Sequence, residues 1–368
     1  MRLALSGGGT GGHVYPALAI AGALRRELSS NGGLALLYIG SSGGQEQDIV
    51  HRNSLEMRTI SAAPIRGRMP WEMAANIGKV AVGVAQARSV LEEFRPDVVL
   101  STGGYASFPV AVAARTRGIP VAVYLPDLYP GWAVRALAPL AGKICVTAVE
   151  SLRKLPASRT VVTGYPVRDE FWHVSRSEGR QRLGLDAEEK VLFVAAASSG
   201  ARSINKAVAS ELSALLQLCE VVHLSGRNDE GWLREIRDTL PDELQGRYHL
   251  FGYMHDEIPW AMAAADLALC RAGASVMGEL PAVGLPAVLV PLPIAGGHQR
   301  PNARYMEKNS AAVIVEDANL HRMLPVVGGL LHDEKRLREM RAAAQRLARP
   351  DAAGRIARIL IALAGGKA

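Results

Sequence analysis

Leu3-Ala4-Leu5-Ser6-Gly7-Gly8-Gly9-Thr10-Gly11-Gly12-His13-Val14-Tyr15-Pro16 runs from a short apolar segment through five glycines to a histidine and a proline. Leu3–Ser6 is too short and too apolar for anything but a buried strand, and helix-like spacing runs from Pro16 to Leu28. A strand that turns through glycines into a helix begins a doubly wound α/β unit. The glycines permit a tight turn and close approach of another molecule, while backbone N–H groups and the helix dipole favour an anion or developing negative charge. His13 is the only titratable side chain of this loop, and imidazole accepts a proton near neutral pH. It is the expected general base, with a plain hydrogen-bonding role as the alternative.

Working outward, the same alternation continues. Leu34–Ile39, Asp97–Ser101, Val121–Tyr124 and Ile144–Thr147 read as further buried parallel strands, with a helix-like crossover over Met73–Phe94. After Gly164-Tyr165-Pro166 the pattern restarts with Val191–Ala196, Val221–Leu224, Asp266–Cys270 and Ala287–Pro291. The chain of 368 residues is long enough for two cores, and domains are expected at 1–163, 164–340 and 341–368. The last of these belongs to a helical stretch, Glu334–Leu363, expected to pack back on the first domain. Two such units bind ligands at the carboxyl ends of their strands, so a cleft between them is the expected site.

Composition narrows the class. Apolar residues make up 49% of the chain, and the net charge of +7 is dispersed, which suits a solvated surface, phosphates or an anionic membrane better than nucleic acid. The isolated Cys145, Cys219 and Cys270 read as buried thiols of a reducing compartment. There is no secretory signal at the N-terminus and no run of roughly 20 apolar residues, so a soluble or peripheral protein is expected. No Asp-x-Asp or His/Cys cluster points to a metal, and no cofactor is expected.

Other strand exits carry similar loops. Thr102-Gly103-Gly104-Tyr105 is expected beside the first loop, although it also reads as an ordinary strand-to-helix turn. Ala196-Ala197-Ser198-Ser199-Gly200-Ala201-Arg202 places Ser198 where a hydroxyl meets a phosphate or simply caps a helix. Arg271-Ala272-Gly273-Ala274-Ser275 leads to Glu279, a carboxylate suited to two vicinal hydroxyls or to a helix dipole. His298-Gln299-Arg300-Pro301-Asn302 offers amides to sugar hydroxyls, or is an exposed polar loop. Gly7, Gly9 and Gly12 also satisfy dinucleotide-binding spacing, but the second strand ends Tyr38-Ile39-Gly40-Ser41-Ser42 without the carboxylate a ribose would need. A diphosphate leaving group without a metal would be met by helix N-termini, hydroxyls and Arg168.

Taken together, residues 8–19, Pro96-Asp97-Val98-Val99, Gly103-Gly104-Tyr105, Gly164-Tyr165-Pro166-Val167-Arg168, Ser199-Gly200-Ala201-Arg202, Cys270-Arg271-Ala272-Gly273-Ala274 and His298-Gln299 with Asn302 resemble the MurG family. Its members transfer N-acetylglucosamine from UDP-GlcNAc to the undecaprenyl-pyrophosphoryl muramyl-pentapeptide, lipid I, in peptidoglycan synthesis. The resemblance implies the GT-B plan: two Rossmann-like doubly wound parallel-sheet domains facing a cleft, lipid acceptor on the N-terminal half and nucleotide sugar on the C-terminal half. It implies that Thr10, Gly11 and Gly12 border the transferred sugar and that Arg168 lies near the nucleotide. Ser198 and the backbone of Ala274, Ser275, Val276, Met277 and Gly278 would meet diphosphate, Glu279 the ribose, Gln299 the GlcNAc hydroxyls, and Met254 or His255 the uracil. Gly103, Gly104 and Tyr105 would form an acceptor loop.

Two departures bear on the donor. Asp127 stands where the family has a sugar-contacting Asn, exchanging an amide donor for a charge. Ala196-Ala197-Ser198-Ser199-Gly200 replaces Gly-Gly-Ser-Gln-Gly. Another GT-B transferase with a different donor or glycolipid acceptor, or a silent sugar-nucleotide-binding protein, are the alternatives. The resemblance also implies peripheral attachment at the cytoplasmic face of the bacterial membrane. Arg66-Gly67-Arg68-Met69-Pro70-Trp71 and a helix face with Ile77, Val80 and Val84 beside Lys79 are expected to meet anionic inner-membrane lipid, or else to pack on the sheet.

Overall fold

The computed structural model describes residues 1–8, 11–29, 33–41, 46–63, 70–195, 201–293 and 297–365, with residues 70–75 as backbone only. The chain divides into two units, Met1–Arg168 with Arg349–Ala368, and Asp169–Ala348. These boundaries lie several residues beyond the expected 163 and 340.

The first unit is built on β1 (Arg2–Gly7), β2 (Ala35–Ser41), β3 (Glu56–Ile60), β4 (Val98–Gly103), β5 (Val121–Leu125), β6 (Lys143–Val146) and β7 (Thr160–Val162). All pair in parallel, in the order β3-β2-β1-β4-β5-β6-β7. Leu3, Ala4 and Leu5 are buried on both faces of the sheet, which is why β1 reads as an unbroken apolar run rather than an alternation. The edge strands β3 and β7 escaped the sequence reading because one flank of each is half-exposed and Glu56-Met57-Arg58-Thr59-Ile60 has no such run.

The second unit repeats the plan with β8 (Val191–Ala195), β9 (Glu220–Leu224), β10 (Tyr248–Phe251), β11 (Leu267–Cys270), β12 (Ala287–Leu289) and β13 (Ala312–Ile314). Their order is β10-β9-β8-β11-β12-β13, again all parallel. Its edges, β10 and β13, were likewise not read from sequence. Asp266 ties the starts of β8 and β11 together, accepting from the Val191 N–H at 3.0 Å and from the Arg176 and Arg180 guanidinium groups at 2.7 and 3.1 Å.

Two expectations about helices need correction. The first helix spans Gly11–Glu27, five residues earlier than the Pro16 start, so Gly11, Gly12 and His13 form its opening turn rather than a free loop. The expected Glu334–Leu363 stretch is two helices, Glu334–Leu347 and Ala352–Gly365. Pro350 disfavours helical backbone at Arg349 and separates them. The first helix buries Leu337 and Met340 in the core of the second unit. Only the second returns to the first unit, where Ile356, Ala357 and Leu360 are buried and Arg358 pairs with Glu27 at 3.0 Å.

Candidate functional site

In each sheet the chain reverses its direction of travel between two adjacent central strands, β1 and β4 in the first unit, β8 and β11 in the second. Loops leaving neighbouring strands in opposite directions open a crevice there, and this is where doubly wound sheets bind ligands. The expected site residues that are described gather at these two carboxyl edges. Thr10 and Ser198 lie outside the described residues.

At the first edge, Ser6 is paired with Ser101 and Gly7 with Gly103, so Thr102 is an extra residue in β4. A bulge takes its residue out of the ladder and re-aims it. The Thr102 carbonyl accepts a hydrogen bond from His13 Nδ1 at 2.6 Å. A carbonyl cannot donate, so the Nδ1 atom carries the hydrogen and the neutral ring keeps its lone pair on Nε2. That is the tautomer a general base requires. Thr102 opens the second glycine motif, whose sequence signals a loop beside the first but not the carbonyl that holds His13.

Gly103 and Gly104 hold φ of +99° and +87°, backbone that side chains rarely adopt. A β-carbon on Gly104 would overlap the Gly8 carbonyl oxygen and lie 2.7 Å from the Gly8 nitrogen, so the β1 and β4 exits meet backbone on backbone. The buried Ser107 hydroxyl lies 2.7 Å from the Gly103 carbonyl and 3.1 Å from the Ser6 carbonyl, spanning the two exits. Tyr105 follows with its ring exposed.

Asp127 is half-buried beyond the end of β5. Its segment is fixed by the Thr147 hydroxyl, which donates to the Pro126 carbonyl at 3.0 Å, and by Ser151, which donates to the Leu128 carbonyl at 2.7 Å. The Arg168 guanidinium lies 4.5 Å from the centre of the Tyr15 ring, in cation–π contact. That ring in turn covers Gly11, where a β-carbon would come within 3.1 Å of it. Arg168 therefore sits over the opening turn of the Gly11–Glu27 helix, with the Tyr15 ring between them.

At the second edge, Ala274–Met277 form a tight 3-10 turn and Glu279 begins the helix that follows Gly278. The first N–H groups of such a turn have no acceptor within it and face outward. Glu279 lies near the end of β11: burial chiefly, and the Glu279 charge secondarily, push the Cys270 thiol up to about 12. Gln299 starts a helix, Gln299–Lys308, instead of lying in an open loop. Its side-chain oxygen accepts from the Ala272 and Leu292 N–H groups at 3.2 and 3.0 Å, which leaves the amide NH2 as the end available to a ligand. Asn302, one turn on, donates to the Ala272 carbonyl at 3.2 Å, so Gln299 and Asn302 between them hold both backbone polar groups of Ala272.

Arg271 points inward. It donates to the Val290 carbonyl, Asp317 and Ser203 at 3.2, 2.5 and 2.7 Å, holding the β11 exit rather than offering charge to a ligand. Burial alone would raise the Asp317 pKa, but the bonds from Ser203 and Arg271 and the Arg271 charge outweigh it and hold the carboxyl below its usual range. Met254 is buried after β10, and the His255 N–H donates to Glu257 at 2.9 Å. That amide is already engaged within the loop, so it is not an open donor for a base.

Among the described residues no cluster of three or more His, Cys, Asp or Glu is placed to hold a metal ion. No helix among them is long and apolar enough to cross a membrane. Of the expected membrane face, residues 66–69 and the side chain of Trp71 lie outside the described residues; Val84 packs against the core, and among the described side chains of the Pro70–Phe94 helix the large apolar ones turned outward are Ile77 and Val82, each just over half exposed.

Comparison with known proteins agrees with this fold. The glycosyltransferase family 28 N-terminal domain matches residues 3–146 and the family 28 C-terminal domain residues 191–356. A UDP-N-acetylglucosamine–N-acetylmuramyl-(pentapeptide) pyrophosphoryl-undecaprenol N-acetylglucosamine transferase of Roseiflexus sp. (strain RS-1) is 41% identical, over 98% of this chain and 94% of its own length. The protein of the same name from Moorella thermoacetica (strain ATCC 39073 / JCM 9320) is 40% identical over 98% of both chains. Among solved structures, Acinetobacter baumannii MurG has a TM-score of 0.73 at 24% identity, covering 98% of this chain and 99% of its own, and shares the GT-B fold. The chain belongs to glycosyltransferase family 28 and, within it, to the MurG transferases.

Proposed function

We propose that the chain transfers N-acetylglucosamine from UDP-GlcNAc to the C4 hydroxyl of the muramyl sugar of undecaprenyl-pyrophosphoryl-MurNAc-pentapeptide, with inversion, giving a β1,4 link and UDP. The names of its relatives supply donor and acceptor; the observation that carries the chemistry is the 2.6 Å bond that makes Nε2 the basic nitrogen of His13. The acceptor oxygen forms its bond to the anomeric carbon as the bond from that carbon to the UDP oxygen breaks. Nε2 takes the acceptor proton, and the imidazolium stays bonded to the Thr102 carbonyl through Nδ1.

In this reading Gly11, Gly12, Asp127 and Thr10 border the transferred sugar, and Gly103, Gly104 and Tyr105 carry the acceptor. The Ala274–Gly278 turn and Ser198 meet the diphosphate as charge develops on it, Glu279 the ribose, Gln299 the sugar hydroxyls through its NH2, and Arg168 lies near the nucleotide. The uracil is read at Met254 instead of through the His255 N–H, which Glu257 occupies.

The test is transfer from radiolabelled UDP-GlcNAc to a lipid I analogue, with UDP-glucose as the competing donor. His13→Ala is expected to lower kcat by roughly 10²–10⁴-fold while UDP still binds. Native turnover in that variant would reject His13 as base.

We further propose that the chain works at the cytoplasmic face of the membrane, bound peripherally to anionic lipid. Ile77 and Val82 on one helix, with the excess of basic residues, support this. Flotation with vesicles containing phosphatidylglycerol should be lost in an Ile77→Glu/Val82→Glu variant; equal flotation would remove this surface.

A further inference from the structure

We propose that Glu46 is a positioning residue for the transfer reaction: a buried carboxylate that locks the β1 exit against the β4 exit and thereby fixes His13. The inference rests on the reading of His13 as base. Glu46 opens the short helix Glu46–Arg52 after β2 and is completely buried. A carboxylate is costly to bury, and an apolar side chain would fill the place at less cost, so what it bonds to must explain it.

Its Oε1 accepts from the Ser41 N–H at 3.1 Å and from the Ser41 hydroxyl at 2.7 Å, which anchors it to the end of β2. The same oxygen lies against Gly8, where a β-carbon would come within 2.9 Å of it. On its other side Gly8 is in backbone contact with Gly104, and a β-carbon on the adjoining Gly103 would stand 3.1 Å from the His13 ring. Carboxylate, Gly8, Gly103–Gly104 and imidazole thus form one line of contacts across β2, β1 and β4, with no flexible side chain between its ends. The buried Tyr38 hydroxyl stands beside the same turn, 3.1 Å from where a Gly7 β-carbon would be. Burial first, and the Glu46 charge second, keep that phenol protonated.

The line transmits position, because interiors are packed too tightly to absorb a shift at one end. Losing the carboxylate lets Gly8 relax toward β2, and a displacement of about 1 Å at a reacting group costs on the order of 100-fold in rate. Glu46→Ala is therefore expected to lower kcat about 100-fold, with KM for UDP-GlcNAc and the Kd for UDP within about twofold of the native values. Glu46→Gln keeps an oxygen for both Ser41 donors, so it is expected to recover kcat to within about threefold, with the acid limb of the pH–rate profile unmoved.

Glu46→Ala turning over within threefold of the native enzyme, or Glu46→Gln as slow as Glu46→Ala, would overturn the proposal. Should Glu46→Ala not fold, Gly8→Ala presses on the same oxygen from the other side. A kcat about tenfold lower with unchanged UDP binding then supports the lock, and native kcat refutes it. His13→Ala run in parallel separates the two ideas. Turnover surviving in His13→Ala removes the base, whereas turnover lost there but intact in Glu46→Ala removes only the lock.

Discussion

Gly104→Ala is the perturbation that bears most directly on the meeting of the two strand exits. Its cost has two parts. A side chain at φ +87° pays about 1–2 kcal/mol for the left-handed backbone. The new methyl also collides with the Gly8 backbone, 2.7 Å from its nitrogen and 3.0 Å from its carbonyl carbon, and overpacking of that kind costs about 1–3 kcal/mol. The sum is roughly 2–5 kcal/mol. Gly118 supplies the control: its φ is +69°, yet a β-carbon there would meet nothing within 4 Å. Gly118→Ala should lose only the first part, about 1–2 kcal/mol, and keep native kcat. Urea midpoints at unchanged m values give the stability difference, and the transfer assay gives kcat, expected to fall about 100-fold in Gly104→Ala alone. A Gly104→Ala protein no less stable than Gly118→Ala, or as active as the native chain, would refute the reasoning.

Two further outcomes follow from buried groups. Burial lowers the His223 pKa to about 3, while its Nδ1 faces the Tyr248 hydroxyl at 2.8 Å and its Nε2 the Asn205 side chain at 3.0 Å. The unfolded chain takes up a proton near pH 6.5 that the folded chain refuses, so this stability is whole above pH 6.5 and drains as the pH falls toward 3. The loss is about 1.4 kcal/mol per pH unit, or roughly 3 kcal/mol by pH 4.5. Urea midpoints at pH 7 and 4.5 should lie closer together in His223→Gln than in the native chain; parallel losses would contradict the assignment. Burial also pushes the thiols of Cys145, Cys219 and Cys270 up to about 12. A disulfide reagent at pH 8 should therefore leave the folded protein untouched and titrate all three thiols in denaturant, and rapid reaction in the absence of denaturant would count against their burial.

What the sequence displayed was the part of the fold with a strong local signature. Leu3–Ser6 and Val191–Ala195 announce themselves because strands buried on both faces must be continuously apolar, and the glycine loops because a strand exit so rich in glycine has few other uses. The edge strands were less visible: Glu56–Ile60 has a flank with no partner and is mixed in composition, and Ala312–Ile314, though wholly apolar, is only 3 residues long. The candidate site divides in the same way. His13 and Gln299 stood out by residue type and place. Their partners did not, because the Thr102 carbonyl and the Ala272 backbone act through geometry that no letter encodes, and the same holds for the stacking of Arg168 on Tyr15. Nothing in the sequence around Glu46 sets it apart from other acids, and its complete burial is what distinguishes it. Arg271, although it opens a ligand loop, turns inward to hold Asp317 and Ser203.

The return of Ala352–Gly365 to the first unit has a consequence for biosynthesis. The surface of the Gly11–Glu27 helix that the Ala352–Gly365 helix covers is made near the start of translation, and its cover only after the whole of the second unit has emerged. At ribosomal speeds of about 5–20 residues per second the early helix waits tens of seconds with an apolar flank open to water. The helix that bears the base is thus the last part of its own unit to be sealed, and a nascent chain halted before residue 349 would be a natural client for chaperones.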